Sequence, residues 1–439
     1  MATARQDAAI STPLIITPEQ HGIDARQLCS SATEVVERLQ QAGFEAYIVG
    51  GSVRDLLLGK SPKDFDVATD ATPEQVKDVF PRARIIGRRF RLAHVRIRGS
   101  LVEVATFRGP SGGNDDHVTD AGRILRDNVW GSVEEDAVRR DFTINALFMD
   151  PVSGDIQDYV GGYEDLVARR LKLIGDPVTR YREDPVRLLR AARFVAKLGL
   201  ELDPDTEAPI REMADTLEAI PPARLFEEVC KLFLTGHAMR TLESLQRFCL
   251  TQTLFPVLED GNKPGQANII DLTWQAMKNT DDRIAKEMSV TPAFLVAALL
   301  WQPVRDRAEA YQEDGASEYQ SLERAADEVV YEQVQRTAIP RRFSSVTRQI
   351  WLNQARLRRT RGKRALSILR QPRFRASYDF LELRAHEDAS LSELVVFWTE
   401  AQNDPELQAQ VQVEAPPKRR RRRRGGRRRR KPAADSSGG

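Results

Sequence analysis

Residues 47–69 read YIVGGSVRDLLLGKSPKDFDVAT, and this block predicts a short strand, a tight turn and a helix. Its β-prone start is typical of a strand, and Gly50-Gly51 lets the backbone turn sharply and approach a ligand closely. Ser52 is predicted to cap the helix that follows. Backbone N–H groups at such a turn suit a triphosphate, and Arg54, one turn into the helix, adds a fork of donors. A glycine pair before a helix is also compatible with a purely structural role.

The second half of the block carries two carboxylates, Asp64 and Asp66. Successive side chains of an extended segment alternate between faces, so both carboxylates point to the same side of the chain. Two adjacent carboxylates raise each other's pKa unless a cation sits between them, and their oxygen atoms suit Mg²⁺. A solvated strand edge is the alternative interpretation of an Asp-x-Asp pair. The combination of glycine turn, arginine and carboxylates in one short stretch favours a site for nucleotide and metal.

The composition is that of a large globular chain. A chain of 439 residues is expected to form more than one domain, and a hydrophobic content of 41% is enough for sizeable cores. No apolar run reaches about eighteen residues and no secretion signal is evident, so we expect no membrane segment and a cytoplasmic location. The three cysteines include no CxxC pair, which argues against a disulfide framework or a thiolate zinc site.

Charge is distributed unevenly along the chain. Residues 418–431 hold twelve basic side chains, so the tail beyond residue 417 contributes +11 after Asp435 is counted. Because the whole chain carries +2, residues 1–417 carry −9. The run KRRRRRRGGRRRRK repels itself and is predicted to be disordered alone, yet it suits RNA through counterion release. A tail that serves solubility without a specific partner is the alternative, because polyarginine cannot recognise a base sequence.

The order of predicted elements indicates an α/β head followed by a long helical region. Helix and strand patterns alternate up to about residue 107, a Gly-rich segment follows at 109–116, and the pattern is helical from about residue 176 to 401. The predicted domains are a flexible leader (1–30), a head (31–155), a helical neck (156–265), a helical body (266–405) and a disordered tail (406–439).

The order GGxVRDxxLGxxxxDxD in residues 50–66 resembles motif A of the class II nucleotidyltransferases. This superfamily is related in its catalytic head to DNA polymerase β, and it contains the bacterial poly(A) polymerases and the tRNA CCA-adding enzymes. The resemblance implies an α+β fold: a polymerase-β-like head built on a mixed sheet with helices, then an all-α neck, body and RNA-binding region, and the disordered basic tail. It also implies transfer of a nucleotidyl group with two Mg²⁺ ions, one activating an RNA 3′ hydroxyl and one binding the triphosphate.

Such sites take a third carboxylate from a neighbouring strand. Residues 101–107 read LVEVATF, a β-rich run whose one charge is Glu103, so Glu103 is the candidate third metal ligand beside Asp64 and Asp66. A charge that protects an edge strand is the alternative interpretation.

Residues 139–146 read RRDFTINA and resemble motif B of the superfamily. The resemblance implies that Arg140 meets the phosphates of the incoming nucleotide, and that Asp141 has a catalytic place near the sugar and the metal. Without the resemblance, the Arg-Arg-Asp sequence would be interpreted as an ion pair flanking a helix.

Residues 183–187 read EDPVR and lead into a helix, because Asp184 suits an N-cap and the following proline suits the first helical position. Arg187, Arg190 and Arg193 fall within one arc of that helix, so the sequence predicts a basic face that looks outward. The motif resembles the EDxxR element that selects the base in these enzymes. This implies that Asp184 and Arg187 select the base, and Arg190 and Arg193 on the same helix face are further candidates for nucleotide binding. A solvated amphipathic helix with capping ion pairs is the alternative.

Residues 84–95 read RIIGRRFRLAHV and resemble the signature of bacterial poly(A) polymerases, which CCA-adding enzymes usually lack. The resemblance covers about residues 30–405 and implies addition of AMP from ATP to the 3′ ends of single-stranded RNA. A monomer is expected. Proteins of RNA degradation and RNA chaperones are the partner classes to consider. CCA addition to tRNA, or a non-enzymatic RNA-binding scaffold, are the alternatives. The predicted RNA-backbone contacts are Arg341, Arg342, Arg356, Arg358, Arg359 and the tail.

Overall fold

The computed structural model describes residues 12–87, 91–109, 129–258 and 267–405. The chain divides into two compact units, Met1–Ala355 and Arg356–Gly439. The division therefore falls inside the predicted body domain. The predicted tail (406–439), most of the Gly-rich segment and residues 259–266 lie outside the described residues. In the part of the chain that is described, no helix has the length and apolar character that crossing a membrane requires.

The first unit contains an eight-stranded mixed sheet and a separate two-stranded pair in its described residues. Along the large sheet the strand order is β1-β8-β7-β2-β3-β6-β5-β4, and only β3 and β6 pair in parallel. The strands are β1 (Leu14–Ile16), β2 (Ala46–Val49), β3 (Asp66–Thr69), β4 (Arg84–Ile86), β5 (Leu92–Ile97), β6 (Ser100–Thr106), β7 (Leu147–Met149), β8 (Ile156–Asp158), β9 (Arg170–Leu171) and β10 (Glu201–Leu202).

The helices are short around the sheet and longer after it. Those of the first unit are α1 (Pro18–His21), α2 (Ser30–Gln41), α3 (Gly51–Leu57), α4 (Pro73–Val79), α5 (Val133–Arg139), α6 (Gly162–Val167), α7 (Pro177–Glu183), α8 (Val186–Leu198), α9 (Pro204–Glu207), α10 (Pro222–Phe233), α11 (Ala238–Arg247), α12 (Thr251–Leu254), α13 (Asp271–Ala285), α14 (Pro292–Leu299), α15 (Trp301–Glu313) and α16 (Glu318–Arg336). Helix α17 (Arg341–Leu357) continues across the unit boundary.

One face of the sheet is covered and the other is open at β4, β5 and β6. Alternate residues of β5 and β6 are buried, including Ala93, Val95, Val102 and Val104, on the face that α2 and α4 cover. The intervening residues are exposed or half-buried. This alternation is the period-two pattern of a sheet with one covered face. It leaves Glu103 on the open face.

The second unit is helical in its described residues and has its own core. Its helices are α18 (Lys363–Leu366), α19 (Phe374–Glu387) and α20 (Ser392–Ala401), with short 3-10 turns at Ser367–Arg370 and Ala389–Leu391. The indole of Trp398 is fully buried, packs edge-on against Phe374 and donates a hydrogen bond to the carbonyl of Leu357 at 2.8 Å. The indole N–H therefore has an acceptor inside an apolar cluster, as a buried tryptophan requires.

Three local predictions are wrong. The predicted leader (1–30) was expected to be flexible, but in its described part, residues 12–30, β1 pairs with β8 at the edge of the sheet. That partner lies far away in sequence, so local composition could not reveal the pairing. The helix after the glycine turn begins at Gly51 with Gly50 as N-cap, and the Ser52 hydroxyl donates instead to the carbonyl of Val49.

The third concerns Asp184, which ends α7 while Pro185 is the N-cap of α8. Asp184 has an extended backbone conformation, and only Asp184 and Pro185 separate α7 from α8. At fold level the prediction holds: the α+β class, with a mixed-sheet head followed by helices, is confirmed.

Candidate nucleotidyl-transfer site

The sheet brings two of the predicted metal ligands together. Asp66 begins β3 and stands directly opposite Glu103 of the parallel strand β6, so both side chains leave the same face of the sheet. Asp64 precedes β3 by two residues and is exposed. Asp66 is exposed at the start of β3, but neighbouring protein atoms remove part of the water around its carboxylate. This desolvation and the charges of Glu103 and Asp64 raise the pKa of Asp66 to about 6. The Asp66 carboxylate is therefore close enough to both Glu103 and Asp64 for their charges to repel it.

This donor set fits a divalent cation, because a cation between the carboxylates relieves their repulsion and hard oxygen ligands are those that Mg²⁺ prefers. In the described ranges no group of three His, Cys, Asp or Glu side chains is already arranged to hold a metal ion. His94 of β5 lies opposite Glu103, with 3.2 Å between Nε2 and Oε1. The Glu103 carboxylate is thus flanked by Asp66 on one side and an imidazole on the other.

The glycine turn lies between β2 and α3. Gly50 has φ +76° and ψ −124°, a conformation that strains any residue with a Cβ, and its N–H donates to the carbonyl of Leu147 at 3.3 Å. A Cβ at Gly50 would come within 3.4 Å of Nη1 of Arg140. The turn therefore passes directly beneath the Arg140 guanidinium, which brings two of the predicted phosphate contacts together.

Arg140 is held in place from three directions. Its Nε and Nη2 donate to Asp136 at 3.0 and 2.8 Å, and its Nη1 donates to the carbonyl of Asn145 at 3.3 Å. The guanidinium lies 5.0 Å from the centre of the Phe148 ring. Arg180 donates to the backbone carbonyls of both Arg139 and Arg140. These contacts orient the one motif B arginine that faces the glycine turn.

Arg54 is buried rather than free. Only 3% of the residue is exposed, and its guanidinium donates to Asn145 Oδ1 at 2.5 Å and to Asp55 at 2.6 and 2.9 Å. Its predicted contact with phosphate stays a prediction, and the structure gives the side chain a supporting place beneath the turn.

Asp141 lies at the centre of a buried network. Its Oδ1 accepts from the Asn145 side chain at 3.0 Å and from the Phe142 N–H at 2.8 Å, while its Oδ2 pairs with Arg190. Burial alone would raise the pKa of Asp141, but Arg190 and these hydrogen bonds outweigh it and hold the pKa at about 2. Both oxygens of Asp141 are therefore committed to protein partners.

Asn145 links two parts of the site that are far apart in sequence. Its Oδ1 accepts from Arg54 of α3 and its Nδ2 donates to Asp141. The result is a continuous chain of contacts from α3 through the 3-10 turn Thr143–Asn145 to α8. Gly162 packs against this turn so closely that a Cβ there would lie 2.2 Å from the Thr143 carbonyl oxygen.

The predicted outward basic face of α8 is wrong. Arg187 is 9% exposed, and its Nη1 donates to the Arg180 carbonyl at 2.6 Å and to Glu183 at 3.0 Å. Arg190 is turned toward Asp141 of the head. The face carries charge, but it faces the site because α8 packs against the motif B segment.

Arg193 and Asp184 are the remaining two residues that the sequence predicts to contact the nucleotide. The Arg193 guanidinium lies 5.3 Å from the centre of the Phe194 ring, and burial and neighbouring Arg190 lower its pKa. Asp184 does not pair with Arg187: its Oδ2 accepts from Arg224 of α10 at 2.9 Å. Its Oδ1 accepts no hydrogen bond from the described residues.

Sequence reasoning passed over several residues of this site. Asn145 was inside a quoted motif, and a polar residue next to an apolar run was the signal that could have singled it out. Asp136, Arg180 and Arg224 act through contacts with partners in other elements, so no local signal identified them.

Comparison with known protein families identifies the relatives of this chain. Three family models match in order along the chain: the poly A polymerase head domain (residues 46–172), a probable RNA and SrmB- binding site of polymerase A (199–261), and the polymerase A arginine-rich C-terminus (314–431). Poly(A) polymerase I of Salmonella typhi is 47% identical over 408 residues, which cover 91% of this chain and 88% of that protein. The chain belongs to the bacterial poly(A) polymerase family.

CCA-adding enzymes are more distant relatives of this poly(A) polymerase family member. The enzyme of Lactobacillus helveticus is 40% identical over 216 residues, which cover 48% of this chain and 52% of that protein. Among solved structures, Bacillus stearothermophilus CCA-adding enzyme in complex with CTP matches with a TM-score of 0.54 and 26% identity, covering 86% of this chain and 81% of that one. The nucleotidyltransferase fold predicted from the sequence is confirmed, and the protein is an enzyme of the polynucleotide adenylyltransferase class.

Proposed function

We propose that this protein adds AMP from ATP to RNA 3′ ends without a template, releases pyrophosphate, and so promotes RNA turnover. The observation that carries the proposal is the 47% identity to poly(A) polymerase I across about nine-tenths of both chains. The CCA-adding relative aligns over about half of each chain. The match to polymerase A also includes the arginine-rich C-terminal region. It therefore favours the same reaction as that of poly(A) polymerase I, in addition to the same head domain.

Asp64, Asp66 and Glu103 are the residues that would hold two Mg²⁺ ions. When bound, such ions stabilise the attacking and leaving oxygens of an in-line displacement. The contribution of the chain is to present carboxylates from adjacent parallel strands, where Asp66 and Glu103 stand side by side. His94, hydrogen-bonded to Glu103, restricts the orientation of that carboxylate.

The triphosphate of ATP is assigned to the turn at Gly50 and Gly51 and to Arg140. The turn offers backbone N–H groups near the start of α3, and Arg140 lies over it with a guanidinium already fixed by Asp136. A fixed donor loses little freedom when it binds a phosphate. We assign Arg54 and Asp141 a positioning role, because their polar atoms bind Asn145 and other protein groups.

The base is assigned to the region where α7 meets α8. Asp184 Oδ1 is buried and accepts no hydrogen bond from the described residues, so it is an unsatisfied acceptor, and adenine carries an exocyclic amino donor that suits it. Arg187 lies close by on α8, and Arg190 and Arg193 line the same helix face. Guanine and uracil present a carbonyl at the corresponding position, so a carboxylate disfavours them.

RNA binding is assigned to the basic residues of the helical regions and to the tail. Arg341 and Arg342 begin α17, and Arg356, Arg358 and Arg359 lie at the start of the second unit. Clustered arginines bind phosphates without sequence preference, as tail addition to many RNAs requires. We further propose that the enzyme acts as a cytoplasmic monomer, where proteins of RNA degradation and RNA chaperones are candidate partners.

Primer extension tests the proposal. An unstructured RNA and a tRNA lacking its 3′ CCA are each incubated with Mg²⁺ and one nucleoside triphosphate at a time, and also with CTP and ATP together. A long ladder with ATP alone on the unstructured RNA is the expected result. Addition of two CMP and one AMP to the tRNA alone identifies a CCA-adding enzyme, and no extension in any arm contradicts both enzymatic assignments.

A further inference from the structure

A single row of polar side chains crosses the open face of the sheet beyond the candidate metal ligands. Asp66 of β3 lies opposite Glu103 of β6, Glu103 lies opposite His94 of β5, and His94 lies opposite Arg84 of β4. Residues in register on adjacent strands project from the same face. The row therefore runs from two carboxylates through an imidazole to an arginine at the sheet edge.

The surface around the end of this row is exposed. Arg84 and Arg96 are exposed, and Arg96 lies two residues after His94 on β5, so it leaves the same face. Leu101, opposite Arg96, is 49% exposed, and Ile86 of β4 is 38% exposed. Two arginines beside apolar side chains match the mixed character of RNA, with phosphates on one side and bases and sugars on the other.

Arg84 and Arg96 differ in their ion pairing from two nearby arginines, Arg91 and Arg98. Arg91 forms an ion pair with Glu74, and Arg98 pairs with Glu34 at 2.9 Å. In the described ranges neither Arg84 nor Arg96 has an ion-pair partner. A cation without an internal partner keeps its full attraction for an external phosphate.

We propose that this sheet surface, formed by Arg84, Arg96, Ile86 and Leu101, binds the RNA backbone just upstream of the 3′ end. The inference rests on the proposed function, because it takes Asp66 and Glu103 as the place where the 3′ hydroxyl reacts. Strands lie about 4.8 Å apart, so the Arg84 backbone is about 10 Å from that of Glu103. At about 3.4 Å per nucleotide of a stacked strand, that distance corresponds to about three nucleotides.

The phosphates of ATP are the other source of the same chemistry. The proposed triphosphate contacts, the Gly50 turn and Arg140, lie on the β2 and β7 side of Asp66, whereas Arg84 lies on the β5 and β4 side. The two ends of the carboxylate row thus face different substrates. RNA is the occupant that the geometry favours for the β4 end.

The first experiment separates KM for RNA from KM for ATP in the full-length chain. Arg84→Ala is expected to raise KM for a short RNA about fivefold, the effect of one exposed charge-assisted hydrogen bond, with KM for ATP and kcat unchanged. Arg84→Lys keeps the charge and is expected to retain most of the affinity. Lys77→Ala on α4 removes one positive charge from the covered side of the same sheet, and it is expected to match the wild type.

Chemically modified RNA makes the test specific to the contact. Single methylphosphonates at the four phosphates nearest the 3′ end each remove one charge. One of these methylphosphonates is expected to raise KM for RNA with the wild-type enzyme. The same methylphosphonate is expected to cause no further rise in KM for RNA with Arg84→Ala. The proposal is overturned if each methylphosphonate affects the wild type and Arg84→Ala equally. It is also overturned if Arg84→Ala raises KM for ATP and leaves KM for RNA unchanged.

A crosslinking arm does not depend on catalysis. A photoreactive base placed within three nucleotides of the RNA 3′ end is expected to label residues 84–101 in the wild type and less in Arg84→Ala. If labelling occurs but no nucleotide is incorporated, the proposed function fails while the RNA path stands. Incorporation with labelling only elsewhere refutes the RNA path alone.

Discussion

Arg190 and Asp141 form an ion pair, with 2.5 Å between Nη2 and Oδ2, that joins α8 to the motif B segment of the head. The Asp141 carboxylate is 12% exposed, so the guanidinium compensates a charge that water cannot reach well. The same carboxylate holds Asn145, which in turn binds Arg54 beneath the glycine turn. The pair therefore couples the helix that is assigned to the base with the turn that is assigned to the triphosphate.

Arg190→Ala is expected to lower the free energy of unfolding by about 2 kcal/mol, because it leaves the Asp141 charge buried while Arg190 itself is partly exposed. The Asp141 pKa of about 2 lies below the ordinary value near 4, so the pair stabilises the fold above pH 4 and is lost as pH falls toward 2. Denaturant unfolding at several pH values should show the difference from wild type shrinking between pH 5 and 2.5. Arg193→Ala on the same helix controls for the loss of an arginine, and a pH-independent difference contradicts the assignment.

Asn145→Ala removes the residue shared by Arg54 and Asp141. The buried guanidinium of Arg54 then loses a partner, which is expected to cost about 1–3 kcal/mol of stability. We also expect a fall in kcat, because the glycine turn and Asp141 lose their common anchor. Thermal unfolding and single-turnover incorporation measure the two effects. Asn279→Ala, a half-buried helical asparagine with one side-chain hydrogen bond, is the control, and an equal effect in both variants argues against a special role for Asn145.

Asp66→Asn is expected to abolish nucleotide incorporation and leave RNA binding intact, since the substitution removes a metal-ligand charge without changing the shape of the side chain. Asp70→Asn, at the exposed residue that follows the last residue of β3, is the matched control and should remain active. Incorporation and RNA affinity are measured on the same preparations. Equal loss of both properties shows that the substitution damages the fold, which contradicts the role assigned to Asp66.

Metal binding is expected to strengthen as pH rises through about 6, because Mg²⁺ competes with the proton on Asp66. A raised carboxyl pKa means that, without metal, the folded state loses stability between pH 4 and 6 as the proton leaves. Added MgCl₂ should therefore raise the unfolding temperature more at pH 7 than at pH 5. The Asp66→Asn variant should lose this pH dependence, and an identical magnesium shift at both pH values argues against the site.

Deletion after Pro417 is expected to flatten the salt dependence of RNA binding. With at most about twelve phosphate contacts from the basic run, the slope of log affinity against log salt falls by up to about 8 units on single-stranded RNA. Equilibrium binding between 50 and 300 mM salt measures the slope. An unchanged slope excludes the run from RNA binding and favours a role in solubility.

The sequence by itself determined the chemistry and the order of the elements. The glycine turn, Asp64, Asp66, Glu103, Arg140 and the EDxxR segment were recognised because local pattern sets which residues form a strand, a turn or a helix, and the family pattern extends along the chain. Local pattern could not show partners. The parallel pairing of Asp66 with Glu103, the Asp184–Arg224 ion pair and the inward position of Arg187 each join residues from different elements.

Only the tertiary structure decided which charged groups are free and which are already committed. The sequence alone does not distinguish Arg54, Asp141 and Arg190 from ligand-binding residues. In the structure they belong to one hydrogen-bonded network that runs through Asn145. Burial requires each charge to find a partner, and that partner is chosen by how the helices pack on the sheet. The same packing leaves Arg84 and Arg96 exposed on one face of β4 and β5, the surface where we propose that RNA binds.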